Sequence, residues 1–315
     1  MGLPRQCQVV NGIPSVVQAK ALSLGAAVWL RRLPKLIADI EDAWSITVGA
    51  PYESATEAFV AEATCHDGTL AVVKLPIPRT DRTDRHEITT LRLVDGDGCV
   101  RLLRVDEDRG ALLLERLGRP LDLLGWSHRA REEVLCATAM RVWRRVPDSG
   151  LPTGADKGRR LADFIVAKWT ELKRPCAKGT IDHALHCAAE RVAAHDDSRA
   201  VLAHGDVHQW NLLEAGNGFA LVDPDGLIVE PEYDLGVIMR EDPVELIAEG
   251  PWVRAHRLAS RCGLDVHAIW QWGVIERVST GLTCTEIGLQ PVGRQMLDAA
   301  DQLAPCPHPV RRRTP

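Results

Sequence analysis

HGDVHQWN, residues 204–211, sets a carboxylate between two histidines and closes on an amide. Two chemistries fit these residue types. A metal hydrolase would take His204, Asp206 and His208 as ligands, whereas a phosphotransferase would use Asp206 as base and Asn211 to hold magnesium. The readings demand different partners elsewhere. A hydrolase needs a further cluster of histidines or carboxylates at metal-ligand spacing, and no other H-x-H or H-E-x-x-H occurs. His183 and His186 in DHALHCAAE (182–190) lie three apart on an otherwise ordinary helical segment, the pattern of solvated side chains. A phosphotransferase needs a second hard oxygen ligand downstream, and GFALVDPDG (218–226) supplies Asp223 at the end of an apolar strand.

The spacing is that of a protein-kinase catalytic loop, H-R-D-x-x-x-x-N followed by D-F-G. Here His204-Gly205-Asp206 is followed by four residues and Asn211, and Asp223-Pro224-Asp225 follows later. Such an enzyme also needs a lysine on a strand to hold the nucleotide phosphates and a helix carboxylate to position it. LAVVKL (70–75) supplies Lys74, a charge that interrupts an apolar strand without a surface pattern. Glu87, thirteen residues on, is the helix carboxylate, with Asp84 as its competitor and an exposed surface charge as the plainer reading. The phosphate-covering turn falls in VGAPYESATEAFV (48–60), where Gly49, Ser54 and Thr56 offer backbone and hydroxyl groups but no G-x-G-x-x-G. LLLERL (112–117), with Glu115 and Leu117, lies where a connecting strand gives backbone groups to a purine.

The surrounding pattern predicts an α+β, bilobal fold. Strands are expected in AWSITVGA (43–50), TEAFVAEATC (56–65) and LAVVKL, the last two joined by a turn at HDGT (66–69). A helix over 80–95 carries Ile88, Leu91 and Val94 at helical spacing, DGDG (95–98) ends it, and CVRLLRVD and GALLLERL follow as strands. Residues 1–117 thus form a nucleotide-binding lobe with an N-terminal helix and a five-stranded antiparallel sheet. Residues 118–305 form a helical lobe with the catalytic loop and acceptor site, with helices at 127–147, 156–195 and about 242–302 interrupted by the strand-like island 200–226. The Pro- and Arg-rich stretch 306–315 is expected to be a disordered tail.

Composition narrows the partners. The 315 residues carry 38 basic against 43 acidic side chains, a net charge of -5 that leaves no footprint for nucleic acid and suits a cationic small molecule. Nine scattered cysteines without a CxxC pair point to packed thiols in a reducing cytoplasm rather than to zinc or disulfides. ALSLGAAVWL (21–30), followed by Arg31-Arg32, is too short to span a bilayer and wrongly flanked for secretion. It is read as a helix ending near Pro34, in a cytoplasmic chain without membrane contact, whose oligomeric state is not readable from sequence, a monomer being favoured.

FVAEATCHDGTLAVVKL (59–75), DGDGCVRLLRVDEDRGALLLERL (95–117), VLAHGDVHQWNLL (201–213), LVDPDGLIVEPEYDLG (221–236) and RVSTGL (277–282) together resemble the aminoglycoside phosphotransferases of the protein-kinase-like superfamily. The run from GDG to GALLLERL is similar to the streptomycin 6-phosphotransferase and hydroxyurea phosphotransferase branch. The resemblance implies ATP (or GTP) with Mg²⁺ and phosphoryl transfer to a hydroxyl of a small molecule. It implies Asp206 as catalytic aspartate, Asn211 and Asp223 as metal ligands, Lys74 as the phosphate-binding lysine with Glu87 behind it, and Asp234 as a brace of the catalytic loop. Gly205 replaces the arginine that pairs with an activation-loop phosphate, and no activation segment precedes EPEYDLG, so activity without phosphorylation is expected. Residues 223–245 hold eight acidic side chains and one arginine. Asp225 and Glu232 from this run, with Trp270 and Glu276 on a later helix, are the candidates for binding a cationic antibiotic, against the plainer readings of a solvated face and of core residues. Another metabolite or a self-made antibiotic as acceptor, and a nucleotide-binding pseudokinase, are the rivals.

Overall fold

The computed structural model describes residues 12–78, 83–146 and 148–304. The chain divides into two compact units, Met1–Gly118 and Arg119–Pro315. The tail expected at 306–315 and the side chain of Asp84 lie outside the described residues.

The first unit opens with α1 (Ser15–Ser23) and α2 (Ala27–Trp44). The helix read from 21–30 is therefore two helices, and Pro34 lies inside the second rather than at its end. A proline within a helix costs about 3 kcal/mol. Leu30, Leu33, Ile40 and Trp44 are buried along one stripe of α2 and outweigh that, at roughly 1.5–3 kcal/mol for each fully buried side chain. The same stripe takes Ala43 and Trp44 from the predicted first strand. Ser45, left-handed at φ 53°, ends the helix and turns the chain into β1 (Ile46–Pro51).

β2 (Ala58–Cys65) and β3 (Leu70–Pro76) form the expected hairpin across Asp67-Gly68, where the Asp67 carboxylate accepts from the Thr69 amide at 2.9 Å. Next come α3 (Thr83–Val94), β4 (Leu102–Asp106) and β5 (Ala111–Glu115), giving an antiparallel sheet of order β1-β2-β3-β5-β4. Alternate residues divide the sheet's faces. Phe59, Ala61, Ala63, Ala71, Val73, Leu75, Ala111 and Leu113 pack against α1 and α2 in one core. Lys74, paired in register with Val60 and Leu112, therefore points to the opposite face.

The second unit begins with α4 (His128–Val142), α5 (Gly154–Glu171) and α6 (Lys178–Ala193). Ser127 and Thr153 cap α4 and α5, Thr153 in a reciprocal capping box with Asp156. Two small antiparallel pairs follow, β6 (Val201–Ala203) with β9 (Leu227–Val229), and β7 (Leu212–Ala215) with β8 (Gly218–Leu221). The remaining helices are α7 (Glu232–Arg240), α8 (Pro243–Glu249), α9 (Pro251–Cys262), α10 (Val266–Glu286) and α11 (Val292–Leu303). The helical block thus resumes ten residues earlier than periodicity suggested, because α7 is buried on every side and shows no polar face. It crosses α10 where both helices carry glycine. A Cβ on Gly236 would stand 2.9 Å from the Gly273 amide, and one on Gly273 3.0 Å from Met239 Sδ. No helix among the described residues is long and apolar enough to cross a membrane.

Candidate active site

In the first unit, Lys74 Nζ lies 2.7 Å from both Glu87 oxygens, both side chains buried. Strand periodicity aims the lysine away from the helical core, and Glu87 shares α3 with the buried Ile88 and Leu91 that seat that helix. Replacing a buried ion pair by apolar residues is often neutral for stability, so stability alone does not account for this one. Gly49 lies exposed in β1 and Ser54 exposed in the following turn. Glu115 ends β5, its side chain accepting from the Arg101 amide at 2.8 Å, and Leu117 follows outside any regular element.

In the second unit the loop 204–211 runs from β6 to β7. His204 is completely buried. Its Nδ1 accepts from the Asp206 amide at 3.2 Å, which leaves Nε2 to donate to the Val222 carbonyl at 3.0 Å. Burial holds this imidazole below its ordinary pKa, against the pull of Asp234 and Asp206, so it is neutral and serves the loop's shape. Asp234, from the first turn of α7, accepts from the His204 amide (3.1 Å), the Gly205 amide (2.8 Å) and the Trp143 indole (2.8 Å). A buried carboxylate therefore fixes the backbone just before Asp206. Gly205 adopts φ +90°, and a Cβ there would meet the Asp225 Cβ at 2.8 Å.

Asp206 is the hub of the loop. Its Oδ1 accepts from Arg240 Nη2 at 2.7 Å, and its Oδ2 lies 3.1 Å from His208 Nε2 and 3.2 Å from Asn211 Nδ2. The side chain stays 32% exposed, so a small molecule can reach it. Burial alone would raise its pKa, but His208 and Arg240 beside it hold the carboxyl well below the usual carboxylate range. The β7–β8 hairpin explains the spacing of Asn211 and Asp223. Leu212 pairs with Leu221, and the Val222 amide donates to the Asn211 carbonyl at 2.8 Å, so the residues flanking the strand ends come together. The Asn211 amide nitrogen is spent on Asp206, which leaves its oxygen as the atom that could ligate a metal. Asp223 is exposed, with a left-handed backbone at φ 58°. Among the described residues no group of three His, Cys, Asp or Glu could cage a metal. Two oxygen ligands completed by nucleotide phosphates are the arrangement magnesium favours, so this donor set fits Mg²⁺ and not a structural metal.

Four candidates for acceptor contact are placed differently. Asp225 is half-exposed and paired with Lys157 at 2.9 Å. Glu232 is buried and accepts from the Asp265 amide at 3.1 Å. Trp270 is fully buried and stacked on Trp252, ring centroids 4.0 Å apart. Glu276 is buried between the Tyr233 hydroxyl and Arg240 Nη1, the latter at 2.9 Å. Of the four, Asp225 alone is exposed.

Arg240 was missed as a site residue, although it stood out as the single arginine in an acidic run. Burial works against its charge, but Asp206, Glu276 and Glu241 around it raise its pKa above the ordinary arginine value. Two further buried arginines close the end of α7: Arg254 Nη1 donates to the Glu241 carbonyl at 2.7 Å, and Arg277 Nη2 donates to the Met239 carbonyl.

A capped helical unit with a His-Gly-Asp loop, a hairpin flanked by two candidate oxygen ligands, and a sheet unit with a Lys–Glu pair define a phosphotransferase of the protein-kinase-like class. The solved structure of a thermostable mutant of aminoglycoside phosphotransferase APH(4)-Ia, with ADP and hygromycin B, shares the fold, at a TM-score of 0.60, 13% identity and coverage of 85% of this chain and 97% of that one. Residues 44–286 match the family model of the aminoglycoside/hydroxyurea antibiotic resistance kinases, and the chain belongs to that family. It is 28% identical to the streptomycin 6-kinase of Streptomyces glaucescens over 254 residues, 78% of this chain and 81% of the relative. It is 31% identical to the hydroxyurea phosphotransferase of Kitasatospora aureofaciens over 249 residues, 73% of this chain and 68% of the relative.

Proposed function

We propose that this chain transfers the γ-phosphoryl group of ATP or GTP to a hydroxyl of an aminoglycoside of streptomycin type, protecting the cell that makes it. The observation that carries the reading is Asp206, ionised, partly exposed and held in one orientation beside Asn211.

In this mechanism Asp206 orients the acceptor hydroxyl and takes its proton as the bond to phosphorus forms. Its low pKa makes it a weak base. That suits a loose transition state, in which the proton leaves late and alignment matters more than basicity. Asn211 Oδ1 and the Asp223 carboxylate would hold the magnesium, which supplies charge neutralisation on the phosphates. Lys74, kept in place by Glu87, binds phosphate oxygens; Gly49 and Ser54 offer them backbone and hydroxyl donors, while Glu115 and Leu117 offer backbone groups to the purine. Asp225, the exposed acidic candidate, is the side chain for a guanidinium of the acceptor.

Incubating the purified chain with MgATP and streptomycin, and scoring the antibiotic for a mass gain of one phosphate, tests the reading. Hydroxyurea belongs in the same panel, because the 31% identical relative carries that name. Phosphate on hydroxyurea alone replaces the aminoglycoside assignment. Nucleotide binding without transfer to any acceptor makes the chain a pseudokinase.

A further inference from the structure

Three groups fix the Asp206 carboxylate, and two of them, His208 and Asn211, lie on its own loop. Arg240 comes from outside, thirty-four residues further on, at the end of α7. Its planar fork divides between two acids, Nη2 on Asp206 at 2.7 Å and Nη1 on Glu276 at 2.9 Å, while Nε lies 3.4 Å from Glu241. Glu276 gives its other oxygen to the Tyr233 hydroxyl. Tyr233 and Arg240 lie seven residues apart on α7, two turns along one face, and Glu276 meets both from α10. Between them the two helices meet closely at Gly236, where a Cβ would stand 2.9 Å from the Gly273 amide. The fork therefore refers the carboxylate to a rigid helix pair and not merely to its own loop.

The composition of the network argues against a stabilising purpose. Arg240, Glu241 and Glu276 are all buried. Buried ion networks of this kind are often matched in stability by apolar packing. An ammonium would not replace the guanidinium, since a point charge cannot span two carboxylates in the fixed fork geometry.

We propose that Arg240 is a positioning residue for phosphoryl transfer, fixing the Asp206 carboxylate to the α7–α10 frame, and that Glu276 and Tyr233 act through it. The proposal rests on the phosphotransferase reading above.

The test uses the full-length chain with MgATP and streptomycin, measuring kcat, KM for each substrate and thermal midpoint for Arg240→Ala, Arg240→Lys and Glu276→Gln. A misplaced catalytic group costs on the order of 10²-fold, so both Arg240 variants should lose about that in kcat, with KM for MgATP within about threefold of wild type. Millimolar guanidinium should restore Arg240→Ala saturably and leave the wild type unchanged. Rescue of turnover without a change in midpoint is a result that a merely structural arginine would not give. Glu276→Gln keeps the arginine but loosens its anchor, and should lose about tenfold in kcat with no response to guanidinium. If Arg240→Ala does not fold, Glu276→Gln decides, and an unchanged kcat there overturns the proposal. Folded Arg240 variants with kcat within about threefold of wild type overturn it as well, as does a loss that follows the folded fraction alone and is not rescued. A wild type that phosphorylates no acceptor brings down the functional reading and this inference together. An active wild type beside an equally active Arg240→Ala brings down the inference alone.

Discussion

Asp234→Asn separates the carboxylate that braces the loop from the one proposed to react. Asp234 is fully buried and accepts three hydrogen bonds, two at Oδ2 from His204 and Trp143 and one at Oδ1 from Gly205. Asparagine has one acceptor oxygen. Placed on the Oδ2 side it keeps two bonds and turns its NH₂ toward the Gly205 amide, donor against donor. Leaving a buried N–H unsatisfied costs about 1–3 kcal/mol, and loss of the charge weakens the two remaining bonds by roughly 1 kcal/mol more. The expected loss is about 2–4 kcal/mol, or roughly 4–16 °C in the melting midpoint of a unit of this size. Because the strained bond is on the residue preceding Asp206, turnover should fall by about 10-fold or more in the folded variant. Urea titration followed by Trp fluorescence reads the first quantity and steady-state turnover the second. A variant that melts within about 1 °C of wild type and turns over normally would falsify the account of Asp234 as the brace.

Asp206→Ala should cut turnover by about 10²–10⁴-fold with little change in MgATP affinity, measured by steady-state kinetics and nucleotide titration. Lys74→Met breaks the buried ion pair and should cost about 3–5 kcal/mol, whereas Lys74→Met with Glu87→Met should recover most of that stability and none of the activity. Paired denaturation and activity assays check this, and a double variant as unstable as the single would contradict the ion-pair reasoning. Gly205→Ala places a side chain at φ +90° and 2.8 Å from Asp225 Cβ, and should destabilise by about 1–3 kcal/mol and depress kcat, visible as a lower midpoint and a slower rate.

Motifs whose chemistry is local were legible in the sequence. The order of five strands and one helix followed from turn residues and alternation, and the HGD–N–D spacing reflects a hairpin that brings Asn211 and Asp223 to adjacent strand ends. Interactions settled by distant packing were not legible. Trp44 reads as strand beside Ile46 until its place on the stripe with Leu33 and Ile40 is seen. A helix buried all round, as α7 is, has no polar face to announce it. Arg240 stands in the sequence only as the single arginine of an acidic run, and Glu276 as a candidate for the acceptor or a core residue. That the two bind each other, thirty-six residues apart, follows only from the α7–α10 crossing.

That crossing also bears on how such an enzyme can change its acceptor under selection. At Gly236 even one methyl group runs into the α10 backbone, 2.9 Å from the Gly273 amide, and the two helices carry the residues proposed to aim Asp206. A side chain at Gly236 is therefore expected to disturb aim before it alters fit. Exposed side chains such as Trp210, four residues beyond Asp206, are where an exchange alters the surface beside the loop without moving the helix pair.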